Sequence, residues 1–195
     1  MTNITVEKRS FQAPSVNIKE INRYGGGIDE RDILDCLKEA EVALSYNVCF
    51  AETDVKVEGG EVDLGFVRLE SRDLAKNLCD CRRAVIFAAT VGVGMDRLIG
   101  KYSRLSPARA VVLQAIGSER VESLCDAFED YLRERMGGEV KLRPRYSPGY
   151  GDLPLSFQRD VFALLDCPRN IGVSLGESLL MTPEKSVTAI VGIVK

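Results

Sequence analysis

The stretch from Ser106 to Gly138, SPARAVVLQAIGSERVESLCDAFEDYLRERMGG, constrains this chain more than any other. Proline directly after serine suits the first helical position, where its missing N–H costs nothing, and a Gly-Gly pair supplies a C-terminal stop. Apolar residues at Val121, Leu124, Cys125, Phe128, Tyr131 and Leu132 return at helical spacing. Ser106 is the expected N-cap, and Gly117 is the point at which the helix could break in two. A long helix with one apolar side must lie on something broad and apolar. The run RAVIFAATVG is nearly continuous in apolar residues and of strand length, so it reads as a central strand buried on both faces.

The remaining pattern mixes helices and strands without a regular alternation. Asp29 caps an expected helix with Ile33, Leu34, Leu37, Ala40 and Leu44 along one side. Gly59-Gly60 turns between strand-like pieces whose inner face is Val62, Leu64 and Phe66, and Ser71 caps a short helix after them. GMDRLIGKYSRL is a further helix, EVKLR a strand, and LSFQRDVFALLD a helix capped by Ser156. NIGVSLGESLLM and KSVTAIVGIV read as two strands joined at TPEK, that is, a terminal hairpin. The fold expected is α+β, a mixed or antiparallel sheet with a long helix packed on it. Residues 1–27 read as an irregular or edge-strand-like N-terminal extension and 28–195 as a single domain.

A net charge of -3 argues against general nucleic-acid binding, and no apolar run is long enough to span a bilayer. Without an apolar signal core near the N-terminus, the expected location is cytoplasmic, and the six cysteines default to reduced thiols. The chain has no histidine. That excludes Ser-His-Asp and Cys-His catalysis within the chain, and histidine-ligated metal. The pair Cys79 and Cys81 lacks the usual C-x-x-C spacing, so thiols at a helix end are preferred to a metal site. Gly92-Val93-Gly94 does not complete a dinucleotide fingerprint, because Arg97 stands where a third glycine is needed; a strand-to-helix turn is the reading. The acidic residues Glu119, Glu122, Asp126, Glu129 and Asp130 read as a solvated helix face, with Asp126 at its apolar boundary.

RPRYSPGYGDLP, Arg143 to Pro154, is different in kind. Pro144, Pro148 and Pro154 fix backbone angles, while Gly149 and Gly151 open conformations closed to other residues. Arg145 presents a planar fork suited to a carboxylate, and Tyr146 and Tyr150 offer ring faces and hydroxyls. Composition leaves two readings open: a rigid crossover, or a stiff loop built to hold a ligand.

From about Gly117 to Val194 the sequence resembles the activation domain of cobalamin-dependent methionine synthase. The resemblance rests on the helix ESLCDAFEDYLRER, the loop RYSPGYGDLP, the helix FQRDVFALLD and the closing IGVSLGESLLMTPEKSVTAIVG. It implies binding of S-adenosylmethionine for reductive methylation of cob(II)alamin. The cobalamin would be carried by a corrinoid-binding methionine synthase or related methyltransferase, with flavodoxin or another reductant as electron source. Arg145 matches the arginine that holds the methionine-moiety carboxylate, Ser147, Gly149 and Tyr150 the loop positions at the ligand, and Asp126 the helix glutamate, one methylene shorter. Glu177 and Ser178 match the Glu-Ser of the family's strand. The implied arrangement is a guanidinium and a carboxylate facing each other across a gap that fits the ligand. No catalytic residue and no metal ligand are implied.

The family's domain runs on past its Ser-Val strand and supplies one more tyrosine, whereas this sequence ends at Lys195. Folate, homocysteine and cobalamin modules have no counterpart here, so the expectation is not a complete methyltransferase but action in trans. The alternative expectation is a non-catalytic module that caps a partner's corrinoid domain without binding S-adenosylmethionine.

Overall fold

In a computed structural model, which describes residues 4–138 and 140–194, the run around Val85 becomes the middle strand of a five-stranded antiparallel sheet. The strands are β1 (Val6–Phe11), β2 (Tyr46–Asp54), β6 (Cys81–Thr90), β10 (Ser186–Val194) and β7 (Lys141–Leu142), and they lie side by side in that order. Between β2 and β6 come three short strands, β3 (Lys56–Glu58), β4 (Glu61–Asp63) and β5 (Arg68–Glu70), which form a small sheet of their own. The fold is α+β, as expected.

Both faces of the main sheet are covered. Against one face lie α1 (Ile18–Gly25), α2 (Glu30–Ala43), α4 (Val93–Leu105) and α5 (Pro107–Arg135), around a core that includes Ile21, Phe50, Phe87 and Phe128. Against the other lie α3 (Arg72–Leu78), a 3-10 turn (Leu155–Phe157), α6 (Gln158–Leu165) and α7 (Cys167–Ile171), around Ile86, Leu74 and Val161. The alternation of β6 residues between these two cores is why its sequence is apolar without interruption from Ala84 to Ala89.

α5 is one continuous helix of 29 residues, and Gly117 does not break it. A Cβ at Gly117 would lie 2.9 Å from Lys185 Cγ and 3.0 Å from Met95 Cγ, so the glycine marks a close crossing, not a bend. Ser106 sits at the N-cap position without a side-chain cap, since its backbone already closes α4 by donating to Tyr102 O at 2.8 Å. Ser156 likewise makes no cap; it falls inside the 3-10 turn that precedes α6. In α2 the inward positions are Ile33, Cys36, Leu37 and Ala40, while Leu34 is turned outward.

In the N-terminal segment β1 is an edge strand that pairs with β2 through the register Val6↔Ala51 to Phe11↔Tyr46, and Ile21 of α1 is fully buried. The expected terminal hairpin is divided. β8 (Ser174–Leu175) pairs only with β9 (Met181–Thr182), and β10 leaves that ribbon to enter the main sheet between β6 and β7. β10 is buried along almost its whole length, so apolar burial against both cores decides its place.

Candidate functional site

The loop that follows β7 does not leave the sheet at once. Arg143 N–H donates to Gly192 O at 2.8 Å, and Tyr146 exchanges two 2.9 Å bonds with Ile190. From Arg143 to Tyr146 is three steps, but from Gly192 to Ile190 only two. One extra residue is therefore inserted at Pro144–Arg145, which is the arrangement of a β-bulge. Proline is tolerated there because an edge position asks for no ladder donor. The bulge turns Arg145 toward α5.

α5 offers it carboxylates on successive turns. Arg145 Nη2 bonds Glu122 Oε2 at 3.0 Å, and Nη1 bonds Asp126 Oδ1 and Glu129 Oε1, each at 2.7 Å. Positions 122, 126 and 129 share one side of a helix, so all three reach one guanidinium. Phe128 fixes this part of α5 on the sheet by packing against Phe50 and Phe87, with ring centroids 5.0 and 4.9 Å away. The side chain of Glu129 is 12% exposed, that of Asp126 69%. Burial works against the charge on Arg145, but hydrogen bonds to Asp126 and Glu129 outweigh it and hold the guanidinium protonated. Glu129 is shared with a second cation, Arg133 Nη2 at 3.2 Å, so three carboxylates and two guanidinium groups leave a formal charge of -1.

The rest of the loop is tied down on the other side. Asp152 accepts from Ser71 Oγ, from Arg72 N–H at 2.7 Å and from Asp73 N–H at 3.3 Å, so it closes the first turn of α3. These donors, Ser71 first, hold its carboxyl below the usual aspartate range. Leu153 is buried in the second core, Gly149 N–H donates to Leu153 O at 2.9 Å, and Tyr150 N–H to Ser147 O at 3.2 Å. Gly149 and Gly151 have φ of 91° and 52°, and a Cβ on Gly151 would run into the Tyr146 hydroxyl and the Asp73 carboxylate.

The structure brings Arg145 and Asp126 together, while the contacts of Ser147, Gly149 and Tyr150 are within the loop and on its α3 side. Arg145 and Asp126 touch directly, in place of the expected gap. Tyr150 is exposed. Glu122 and Glu129, read from sequence as part of a solvated face, are ligands of Arg145. The repeat Glu-x-x-x-Asp-x-x-Glu was the available signal. Glu119 does not belong to that face at all: it is 2% exposed and ion-paired with Arg120. Glu177 and Ser178 lie in the exposed turn between β8 and β9. Cys79 is exposed and Cys81 buried, its thiol pushed up to about 11 mainly by burial. Among the described residues no three cysteines or carboxylates are placed to hold a metal ion. Among the described residues no helix is long and apolar enough to cross a membrane.

Comparison with known proteins bears on the fold and the family. Among curated proteins none matches the chain. Among solved structures, the crystal structure of the MetH reactivation domain bound to AdoHcy superposes with a TM-score of 0.69 at 13% identity, covering 96% of this chain and 78% of that one. The family pattern described as vitamin B12 dependent methionine synthase, activation domain, matches residues 76–193. That segment runs from α3 through the whole of β10 but its last residue and holds every residue of the Arg145 cluster, and a match over more than half of the sequence places this chain in the methionine synthase activation domain family.

Proposed function

We propose that this chain binds S-adenosylmethionine at the Arg145 loop and serves, in trans, the reductive remethylation of cob(II)alamin on a corrinoid-binding methionine synthase. The observation that carries the reading is the cluster itself, one guanidinium on a sheet-edge bulge among three helix carboxylates. S-adenosylmethionine carries a carboxylate, an ammonium and a sulfonium. Arg145 complements the first, and the two more exposed carboxylates, Glu122 and Asp126, complement the other two. The donor set therefore fits the ligand.

In this reading the exposed carboxylates, Asp126 and Glu122, give up Arg145 to the ligand carboxylate and turn to its cationic groups. Glu129 stays on Arg145 and keeps the fork aimed. Ser147, Gly149 and Tyr150 form the wall, and the stiffness of the loop keeps the ordering cost low. Bound S-adenosylmethionine supplies an activated methyl group, so no nucleophile or general base is required of this chain; its residues bind, orient and shield. The partner would bring the cobalamin, and flavodoxin or another reductant the electron.

One observation favours a second reading, in which the module caps a partner's corrinoid domain without the methyl donor: Arg145 already has three anionic partners within the chain. Remethylation of cob(II)alamin on a methionine synthase lacking this module, followed by visible absorbance, separates the two. The first reading expects turnover that depends on this chain and is lost in Arg145→Ala. Complex formation without turnover supports the second.

A further inference from the structure

A groove of about 450 Å³ lies at the opposite end of α5 from Arg145. Its floor is the first half of α5, one wall is Ile99 and Ser103 of α4, and the other is Tyr24 of α1. Along the floor it runs from Pro107 to Ser118, roughly 16 Å at the helical rise. Ala110, Val111 and Ala115 give that floor an apolar stripe beside Gln114, and Val111 and Tyr24 are among the large hydrophobic residues left exposed, at 53% and 45%. Lys185 closes one end, the sole charged side chain lining the groove among the described residues.

Lys185 is not an ordinary surface lysine. Its side chain is 11% exposed. Its backbone is fixed by Val91 N–H, which donates to its carbonyl at 3.1 Å, and the neighbouring Glu184 N–H donates to Asp96 Oδ2 at 2.9 Å. The stem lies across Gly117, where any side chain would displace it. Glycine inside a helix is less favourable than alanine, so this crossing is kept against helix propensity. The ammonium donates to Ser118 Oγ at 3.1 Å, while the Glu184 carboxylate stands at 3.8 Å, beyond a hydrogen bond. Of its three donors, one is in use.

We infer that this groove is a second binding site, for a straight-chain carboxylate whose apolar tail lies along α5 and whose head meets Lys185. The charge and shape together select this class: one cation at the end of an elongated, largely apolar stripe suits an anionic head on an extended apolar body, and disfavours cationic or compact ligands. The site is independent of the Arg145 cluster and does not rest on the function proposed for it.

Decanoate is the probe, titrated into the full chain and followed by amide nitrogen–proton correlation spectra. The expected result is saturable binding with shifts confined to α1, α4, the first half of α5 and the Lys185 turn. Decylamine, with the same tail and opposite charge, and acetate, with the head alone, should each bind at least about tenfold more weakly. Lys185→Met, which keeps the stem, should weaken decanoate by about tenfold or more, as expected for loss of a charged hydrogen-bond partner. Lys185→Arg should retain it, and Arg145→Ala should leave it unchanged. Decylamine binding as tightly as decanoate, shifts centred elsewhere, or full affinity in a folded Lys185→Met would each overturn the proposal, as would the absence of saturable binding by the wild type.

Discussion

Glu129 and Asp126 hold the same nitrogen of Arg145 at the same distance, 2.7 Å, but one side chain is 12% exposed and the other 69%. The two bonds therefore differ in energy although they match in length. Replacing Glu129 by alanine leaves a mostly buried guanidinium short of its best-shielded partner and is expected to cost about 1–3 kcal/mol. Asp126→Ala is expected to change stability by no more than about 1 kcal/mol, because water replaces an exposed partner readily. Urea unfolding of both variants checks the difference, and equal losses would refute it.

The adjacent pair Glu119 and Arg120 ties the N-terminal segment to α5. Arg120 donates to Glu119 at 2.6 and 2.7 Å and to the carbonyls of Pro14 and Ser15 at 2.8 and 2.7 Å, while Glu119 accepts from Asn17 N–H at 2.9 Å. Both side chains are nearly inaccessible, at 2% and 1%. Arg120→Met strands a buried carboxylate and is expected to destabilise by about 3–5 kcal/mol. Limited proteolysis should then find new cleavage between β1 and α1, which the wild type resists.

Two glycines are expected to reject alanine for different reasons. At Gly151 the backbone is left-handed, with φ of 52°, and the space is taken, so Gly151→Ala should cost about 1–3 kcal/mol. At Gly117 the backbone is helical and alanine would ordinarily stabilise by about 1 kcal/mol. Contact with Lys185 and Met95 removes that gain, and thermal unfolding should show no increase in stability.

Stability should be flat near neutrality and fall in acid. The carboxyls of Glu7, held by Arg135, Asp80, held by Arg143, Asp152, held by Ser71, and Glu39, held by Tyr102, all lie below their ordinary values. A carboxyl with a lowered folded pKa stabilises fully above its unfolded value, and that stability is lost as pH falls through the folded value. With no histidine in the chain and buried thiols pushed upward, little titrates between about pH 6 and 8. The melting temperature should therefore hold level across that range and drop below about pH 4. In Asp152→Asn the acid dependence should be shallower.

Much of this fold could be read from the chain because its strongest signals are periodic. The 3.6-residue repeat of α5, the unbroken apolar run of β6 and the caps at Asp29 and Ser71 are local, and the structure keeps them. β2 is harder, since burial against both cores erases the alternation that would mark it as a strand. β10 could be seen as a strand, but its partner is decided by distant residues of β6, some hundred positions earlier. The site divides in the same way. The loop's stiffness is visible in its prolines and glycines. That Arg145 reaches Glu122 and Glu129 depends on a bulge opposite Gly192 and Ile190, a relation between segments that local spacing does not encode.

Calorimetric titration with S-adenosylmethionine tests the central claim most directly. The account predicts saturable binding by the wild-type chain, at least about tenfold weaker in Arg145→Ala, since loss of a charged hydrogen-bond partner costs on the order of 1.5–3 kcal/mol. Wild-type protein that takes up no ligand at millimolar concentration, or a folded Arg145→Ala that binds as well as the wild type, would contradict it.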